Sequence, residues 1–257
     1  SPRSETCGHR YPDTQLMKRP VIRRRKLYEE IAAEFERRIN DGDYVPGDQI
    51  PSERKIMEEF GVGRPAVREA LFALSKMGLI ALNSGEPARV TKPTPKILIG
   101  ELAGAARALL ADPEGVRQFQ DARMLFETAL ARNAATHATD EDVHLLGEAL
   151  EANKNAAQTH LNFEQTDVEF HYVLAMIARN SILTALHEGL LEWLSEQRAI
   201  SNAYPGATSA AIEAHTRIFD AIAARDADAA EAAMREHLSE VARTYWEVRT
   251  ARIGDAK

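Results

Sequence analysis

The 257-residue chain reads as mainly α-helical, an N-terminal winged helix-turn-helix followed by an all-α bundle of six to seven helices. Three observations predict this. Apolar residues recur at three- and four-residue spacing along most of the chain. Strand-like alternation is confined to residues 79–82 and 88–91, with turn residues between them. Beyond Pro93-Thr94-Pro95 only the helical period remains.

Taken in order, Leu27, Ile31, Phe35 and Ile39 share one face of a helix over 27–40, which Asp41-Gly42 ends; residues 44–48 form a turn. Ser52 caps a second helix over 53–60. Gly61-Val62-Gly63 interrupts, and a third helix runs from about 64 to 77. Pro65 suits its first turn, where a missing N–H removes nothing. Residues 79–82 and 88–91 pair around the turn Asn83-Ser84-Gly85-Glu86. Helices then follow over 97–110, 114–137, 140–157, 161–179, 181–201, 207–225 and 227–250, punctuated by Asp112-Pro113, Thr139-Asp140-Glu141, Arg179-Asn180-Ser181, Tyr204-Pro205-Gly206 and Asp226. The expected organisation is a flexible basic arm (1–26), a DNA-binding domain (27–92), a linker with its helix (93–111), an effector, metal-binding and dimerisation domain (112–250) and a tail (251–257).

Composition sets the broad class. Hydrophobic residues make up 44% and charged residues 28%, as in ordinary globular proteins. No apolar run is long enough to cross a bilayer, and residues 1–16 lack the apolar core of a secretory signal. The single cysteine, Cys7, excludes an intrachain disulfide or a cysteine-based zinc site. A cytoplasmic protein without a membrane partner is expected. The net charge of −7 is unevenly spread: residues 18–92 carry 15 Lys and Arg against 12 Asp and Glu, residues 93–257 carry 15 against 25. Six positive charges fall within 18–26. An N-terminal domain facing an anionic partner accounts for this asymmetry.

The stretch GVGRPAVREAL, 61–71, admits two readings. Its first six residues satisfy the dinucleotide-binding pattern G-x-G-x-x-[G/A], but that loop must follow a strand, and the preceding SERKIMEEF has a helical period. A short helix, a glycine turn and a second amphipathic helix instead form the motif that lays its second helix in the DNA major groove. Val67, Ala70, Leu71 and Leu74 would face inward. Arg64 and Arg68, one turn apart, would project outward near the helix N-terminus, where arginine can donate two hydrogen bonds to a guanine. Cations at a helix N-terminus oppose its dipole unless an anion is nearby.

In the C-terminal region, polar residues fall on faces that should be buried. Asp167 and His171, four apart, accompany Phe163, Phe170 and Leu174. His215 lies with Ala211, Ile218, Phe219 and Ile222, and His237 with Met234, Leu238, Val241 and Tyr245. Either each is satisfied separately by hydrogen bonds or all four share one partner. A divalent metal is such a partner: zinc first, with nickel or manganese as alternatives. Arg123 also looks inward, in line with Phe119, Phe126 and Leu130. Its partner is either Glu127, one turn on, or a ligand's carboxylate. His137, His144, His160 and His187 lie outside this pattern and read as surface or incidental. A metal-dependent hydrolase is the alternative from another class. It lacks an H-E-x-x-H arrangement and would leave the basic arm unexplained. A metal-sensing regulator without an organic effector is a further alternative.

The run PSERKIMEEFGVGRPAVREALFALSKMGLI, followed by SGEPARVTKP, resembles the DNA-binding domain of the GntR family of bacterial transcription regulators. The resemblance implies that Arg54, Arg64 and Arg68 contact DNA and that the wing tip, Ser84 and Gly85, reaches the minor groove. Some relatives have histidine where this chain has Ser84, so a base contact from that side chain is not expected. D-x-x-x-H at Asp167 and His171, with one histidine in each of two later helices, is similar to the metal-binding FCD subgroup of FadR-type members. That similarity implies Asp167, His171, His215 and His237 as metal ligands, and Arg123 as the residue holding an organic acid's carboxylate. The long basic arm, the GE-x-ARV wing, IGEL at 99–102 and the DV-x-FH motif resemble the sialic-acid (N-acetylneuraminate) responsive regulators. The function expected is that of a homodimeric repressor on a palindromic operator, controlled by a small anionic metabolite and not an enzyme.

Overall fold

A computed structural model describes residues 26–159 and 161–255. The basic stretch 18–25, His160 and the final residues 256 and 257 lie outside the described residues. Contacts divide the chain into two compact units, one running through Leu74 and including Leu82–Val90, the other comprising Ser75–Ala81 and everything from Thr91 on.

The first unit contains α1 (Leu27–Asn40), α2 (Glu53–Phe60) and most of α3 (Arg64–Lys76). Ile31 and Phe35 of α1, Ile56 of α2, and Val67, Ala70 and Leu74 of α3 form its core, each 2% exposed or less. The Ser52 hydroxyl caps α2 by accepting from the Lys55 N–H. Gly61 ends the helix at φ 63°, in the left-handed region where a Cβ is costly. Two short strands, β1 (Ile80–Ala81) and β2 (Arg89–Val90), form the two-stranded sheet. Residues 47–50 continue the β2 pairing, with Gly47 N–H donating to Val90 O and Val90 N–H to Asp48 O. Between the strands, the Glu86 N–H donates to Asn83 O and Gly85 takes φ 80°, closing an exposed turn.

The second unit contains α4 (Pro95–Leu110), α5 (Pro113–His137), α6 (Asp140–Thr159), α7 (Phe163–Met176), α8 (Ser181–Trp193), α9 (Ser195–Asn202), α10 (Ala207–Ala223) and α11 (Ala227–Asp255). Its core joins Leu130 of α5, Leu146 and Leu150 of α6, Phe170 and Leu174 of α7, Ile218 and Ile222 of α10, and Met234 and Leu238 of α11. Ala131, Ala134, Ala135 and Ala138 are all buried, so one face of α5 presents little more than methyl groups to its neighbours. α5 packs against α11, α11 against α10, and α6 against α7 and α10. Asp112 caps α5 and Asn180 caps α8 through side-chain oxygens. α10 ends with Arg225 at φ 61° and Asp226 N–H donating to Ala221 O. The Arg225 guanidinium reaches the Ala138 carbonyl just past α5.

The single helix expected over 181–201 is interrupted at Leu194, whose ψ of 12° departs from helical values. No proline or glycine marks the site. The kink falls where a Leu side chain only 1% exposed is drawn into the core, and beyond it Gln197, Arg198 and Ser201 are buried.

Two glycines test this packing in opposite directions. A Cβ on Gly115 would stand 2.0 Å from the Leu109 carbonyl oxygen, an immovable backbone atom, whereas one on Gly104 meets nothing within 4 Å. Gly115→Ala should cost about 2 kcal/mol or more. Gly104→Ala, inside α4, should stabilise by up to ~1 kcal/mol. Urea unfolding of the two variants checks both signs.

Candidate functional site

The bundle brings together an unusual number of buried polar side chains. His171 of α7, His215 of α10 and His237 of α11 are 1%, 0% and 5% exposed, and each offers a ring nitrogen within 4.8 Å of the others'. His215 Nδ1 lies 2.9 Å from the Oδ1 of buried Asn153, on α6. An amide oxygen only accepts, so His215 carries its proton on Nδ1 and turns a bare Nε2 inward. That Nε2 is 3.3 Å from His237 Nε2 and 3.7 Å from Asp167 Oδ1. Two ligands bonded to one tetrahedral zinc stand about 3.3 Å apart, so the facing nitrogens already have the spacing a cation requires. Burial lowers the His215 pKa to about 3. His237 is also pushed well down, by burial first and then by His215. Both rings are therefore neutral, with lone pairs available at neutral pH. Asn153 is fixed in turn, its Nδ2 donating to Thr166 Oγ1 at 2.9 Å. This is the carboxylate- or amide-backed imidazole typical of metal ligands. His171, His215 and His237 are thus placed to hold a metal ion, with Asp167 at the edge of the group.

Behind this cluster lies a second trio that the sequence pattern did not single out. Glu127 of α5, His171 and His187 of α8 are also grouped and fully buried. His187, expected on the surface, is 0% exposed, because α8 places it between partly buried Leu183 and buried Leu191 at four-residue spacing. Burial lowers its pKa to about 4. Arg123 Nε donates to Glu127 Oε1 at 2.6 Å, so the internal pair is the arrangement found. Glu127 Oε2 lies 2.6 Å from His171 Nδ1. Burial pushes the Glu127 pKa up, but Arg123 and then His171 outweigh it and hold the carboxyl well below its usual range. A 2.6 Å separation is too short for two ligands sharing one zinc, where about 3.3 Å is needed. Glu127 therefore backs His171, leaving Nε2 as the ring nitrogen free for a cation.

Beside the histidines opens a cavity of about 380 Å³, lined by Arg123, Asp167, Arg198, Ser201, His237 and Thr244 among others. Arg198 was not recognised in the sequence. Its signal was its place on the line of Leu191, Leu194 and the small residue Ser201, at three- and four-residue spacing, all buried.

In the first unit, Arg64 and Arg68 extend from the start of α3 with side chains 59% and 64% exposed. Glu53, the first residue of α2, holds both: Arg68 Nε donates to Oε1 at 2.9 Å and Arg64 Nε lies 3.5 Å from Oε2. One carboxylate thus gathers two guanidinium groups onto one face, supplying the anion that the helix dipole otherwise lacks. Arg54 is exposed and paired with Glu58 at 2.9 Å, and Ser84 and Gly85 lie at the exposed turn between the strands.

Comparison with known proteins places these features. Residues 27–90 match the family described as "Bacterial regulatory proteins, gntR family", and residues 118–240 match the FCD domain. The chain is 42% identical over 232 residues to the HTH-type transcriptional repressor NanR of Escherichia coli (strain K12), covering 90% of this chain and 88% of that protein. It is 43% identical over 232 residues to the protein of the same description from Citrobacter rodentium (strain ICC168), covering 90% and 89%. Among solved structures, Streptococcus agalactiae GntR shares the fold, with a TM-score of 0.57 at 23% identity over 84% of this chain and 99% of that one. No helix among the described residues is long and apolar enough to cross a membrane.

Cobalt(II) titration followed by visible absorption tests the metal geometry. His215→Ala and His237→Ala should each abolish the ligand-field bands. Asn153→Ala, which frees the His215 tautomer, should retain them with affinity lowered about 10- to 100-fold.

Proposed function

The chain belongs to the gntR family of bacterial regulatory proteins, with an FCD domain following its DNA-binding region, and from that premise we propose that it is a homodimeric cytoplasmic repressor released from its operator by a small organic or sugar acid. Its relatives are transcription regulators and not enzymes, which sets the hydrolase alternative aside. The observation that carries the DNA reading is the pair Arg64 and Arg68, exposed on one helix face and gathered by Glu53. On DNA, each fork would be presented to a guanine edge in the major groove, and Glu53 would limit the rotamers each arginine has to give up on binding. Arg54 would contact phosphate, and the turn at Ser84 and Gly85 would approach the minor groove. Two recognition helices related by a dyad would address half-sites about one helical turn apart. The domain scheme that fits is a basic arm over 1–26, the DNA-binding region over 27–92, a linker over 93–111, the effector region over 112–250 and a tail over 251–257.

The histidine cluster supports a resident divalent cation, zinc by its imidazole-rich donor set, with nickel or manganese as alternatives. When bound, that ion would supply a Lewis-acidic positive centre at the cavity wall. The chain's own residues would do the rest. Asp167, His171, His215 and His237 would hold the ion, Asn153 and Glu127 would orient two of those rings, and Arg123 would add positive potential on the cavity side. Such a cavity suits an anionic, oxygen-rich molecule. Resemblance to the sialic-acid responsive regulators makes N-acetylneuraminate the first compound to try. Control of DNA binding requires that the effector bind one arrangement of the dimer better than the other.

Replacing both Arg64 and Arg68 by alanine should reduce operator affinity to the non-specific level, on the order of 10³-fold or more. Circular dichroism should remain unchanged. Operator binding by the unaltered protein should fall steeply with salt. N-acetylneuraminate should lower operator affinity in a mobility-shift titration. If no metabolite that raises the melting temperature alters operator binding, the switch is refuted.

A further inference from the structure

The cavity contains two guanidinium groups with unequal commitments. Arg123 has its Nε committed internally, donating to Glu127 at 2.6 Å with both side chains nearly inaccessible. Arg198, on α9, is 6% exposed and differently placed. Its Nη2 donates a long 3.3 Å hydrogen bond to the Leu191 carbonyl, while Nε and Nη1 have no hydrogen-bond partner. The two carboxylates nearest to it, Glu164 and Asp167, stand 3.7 Å away, outside hydrogen-bond reach. Glu164 is 52% exposed and solvated, and Asp167 faces the histidine cluster. One turn further along α9, the amide Nδ2 of Asn202 is also buried without a partner. Buried donors are ordinarily satisfied, and a buried guanidinium with unmet N–H groups is among the costliest exceptions.

We propose that Arg198 is the anchor for the effector's carboxylate. Its Nε and Nη1 N–H groups, which point from different edges of the planar guanidinium, are both open to an oxygen acceptor, and Asn202 Nδ2 reads an adjacent carbonyl or hydroxyl oxygen. The ligand class is a carboxylic acid with a second oxygen acceptor close to the carboxylate, of a size to fill about 380 Å³. Arg123 is then a positioning residue that holds Glu127 against His171. This assignment rests on reading the cavity as the effector site. It adds which residue selects for negative charge.

Calorimetric titration of the full chain with N-acetylneuraminate and with its methyl ester separates charge recognition from shape. Arg198→Gln should weaken the acid about 10- to 100-fold, the range of a lost charged hydrogen-bond pair, and weaken the ester far less. Arg198→Lys should recover part of the loss. Unliganded Arg198→Gln should melt no lower than the parent, because an unmet buried charge has been removed. Equal losses for acid and ester, or a variant melting well below the parent, would make Arg198 structural and overturn the proposal. If the unaltered chain binds neither compound, the sugar-acid reading of the effector fails separately, and acetate becomes the probe. Acetate should then raise the melting temperature of the parent above that in equimolar chloride and leave Arg198→Gln unmoved. An equal response of parent and variant to acetate, or no response from either, overturns the assignment.

Discussion

The effector-side unit is organised around the cost of burying polar groups where water cannot reach them. Helices α7, α10 and α11 direct one imidazole each toward a common point, and α5 directs a carboxylate behind one of them. In a core of leucine, isoleucine and alanine, such groups persist only if each has a partner. Asn153 provides one for His215 and Arg123 provides one for Glu127. Among the buried atoms still without a hydrogen-bond partner are both ring nitrogens of His171 and of His187, and Nε and Nη1 of Arg198. Lone pairs ask for a cation and the guanidinium asks for an anion. A metal together with an organic acid answers both.

A carboxylate holding arginine occurs in both units at very different exposure, with two arginines in the first and one in the second. Glu53 holds Arg64 and Arg68 in solvent, where such pairs contribute little to stability and act mainly by limiting side-chain freedom. Glu127 holds Arg123 where neither is accessible, so removing one partner would leave an uncompensated buried charge. The first arrangement could be given up easily to DNA phosphates and base edges, as proposed above. The second is a fixed part of the cavity wall.

Much of this was legible in the sequence because periodicity reports burial directly. The stripe Val67, Ala70, Leu71 and Leu74 predicted the inner face of α3 and, by subtraction, the outward placement of Arg64 and Arg68. The same logic brought Asp167, His171, His215 and His237 to buried faces of three helices. His187 and Arg198 escaped although their spacing carried a signal: His187 stands four residues from both Leu183 and Leu191, and Arg198 lies between Leu194 and Ser201 on the same buried line. The break at Leu194 itself has no adjacent glycine or proline to announce it. Glu127 was visible as a partner of Arg123, but its second contact, to His171, depends on the packing of α5 against α7, and no local spacing encodes that.

The imidazole cluster is proposed above as a cation site at the wall of a ligand cavity. Anomalous diffraction across the zinc absorption edge, from crystals of the protein purified without chelator, tests it most directly. A peak is expected between His215 Nε2 and His237 Nε2, within bonding distance of His171, on the side of the cavity that holds Arg198. Density there with no anomalous signal at any transition-metal edge, and with the rings hydrogen-bonded to one another or to water, would contradict it.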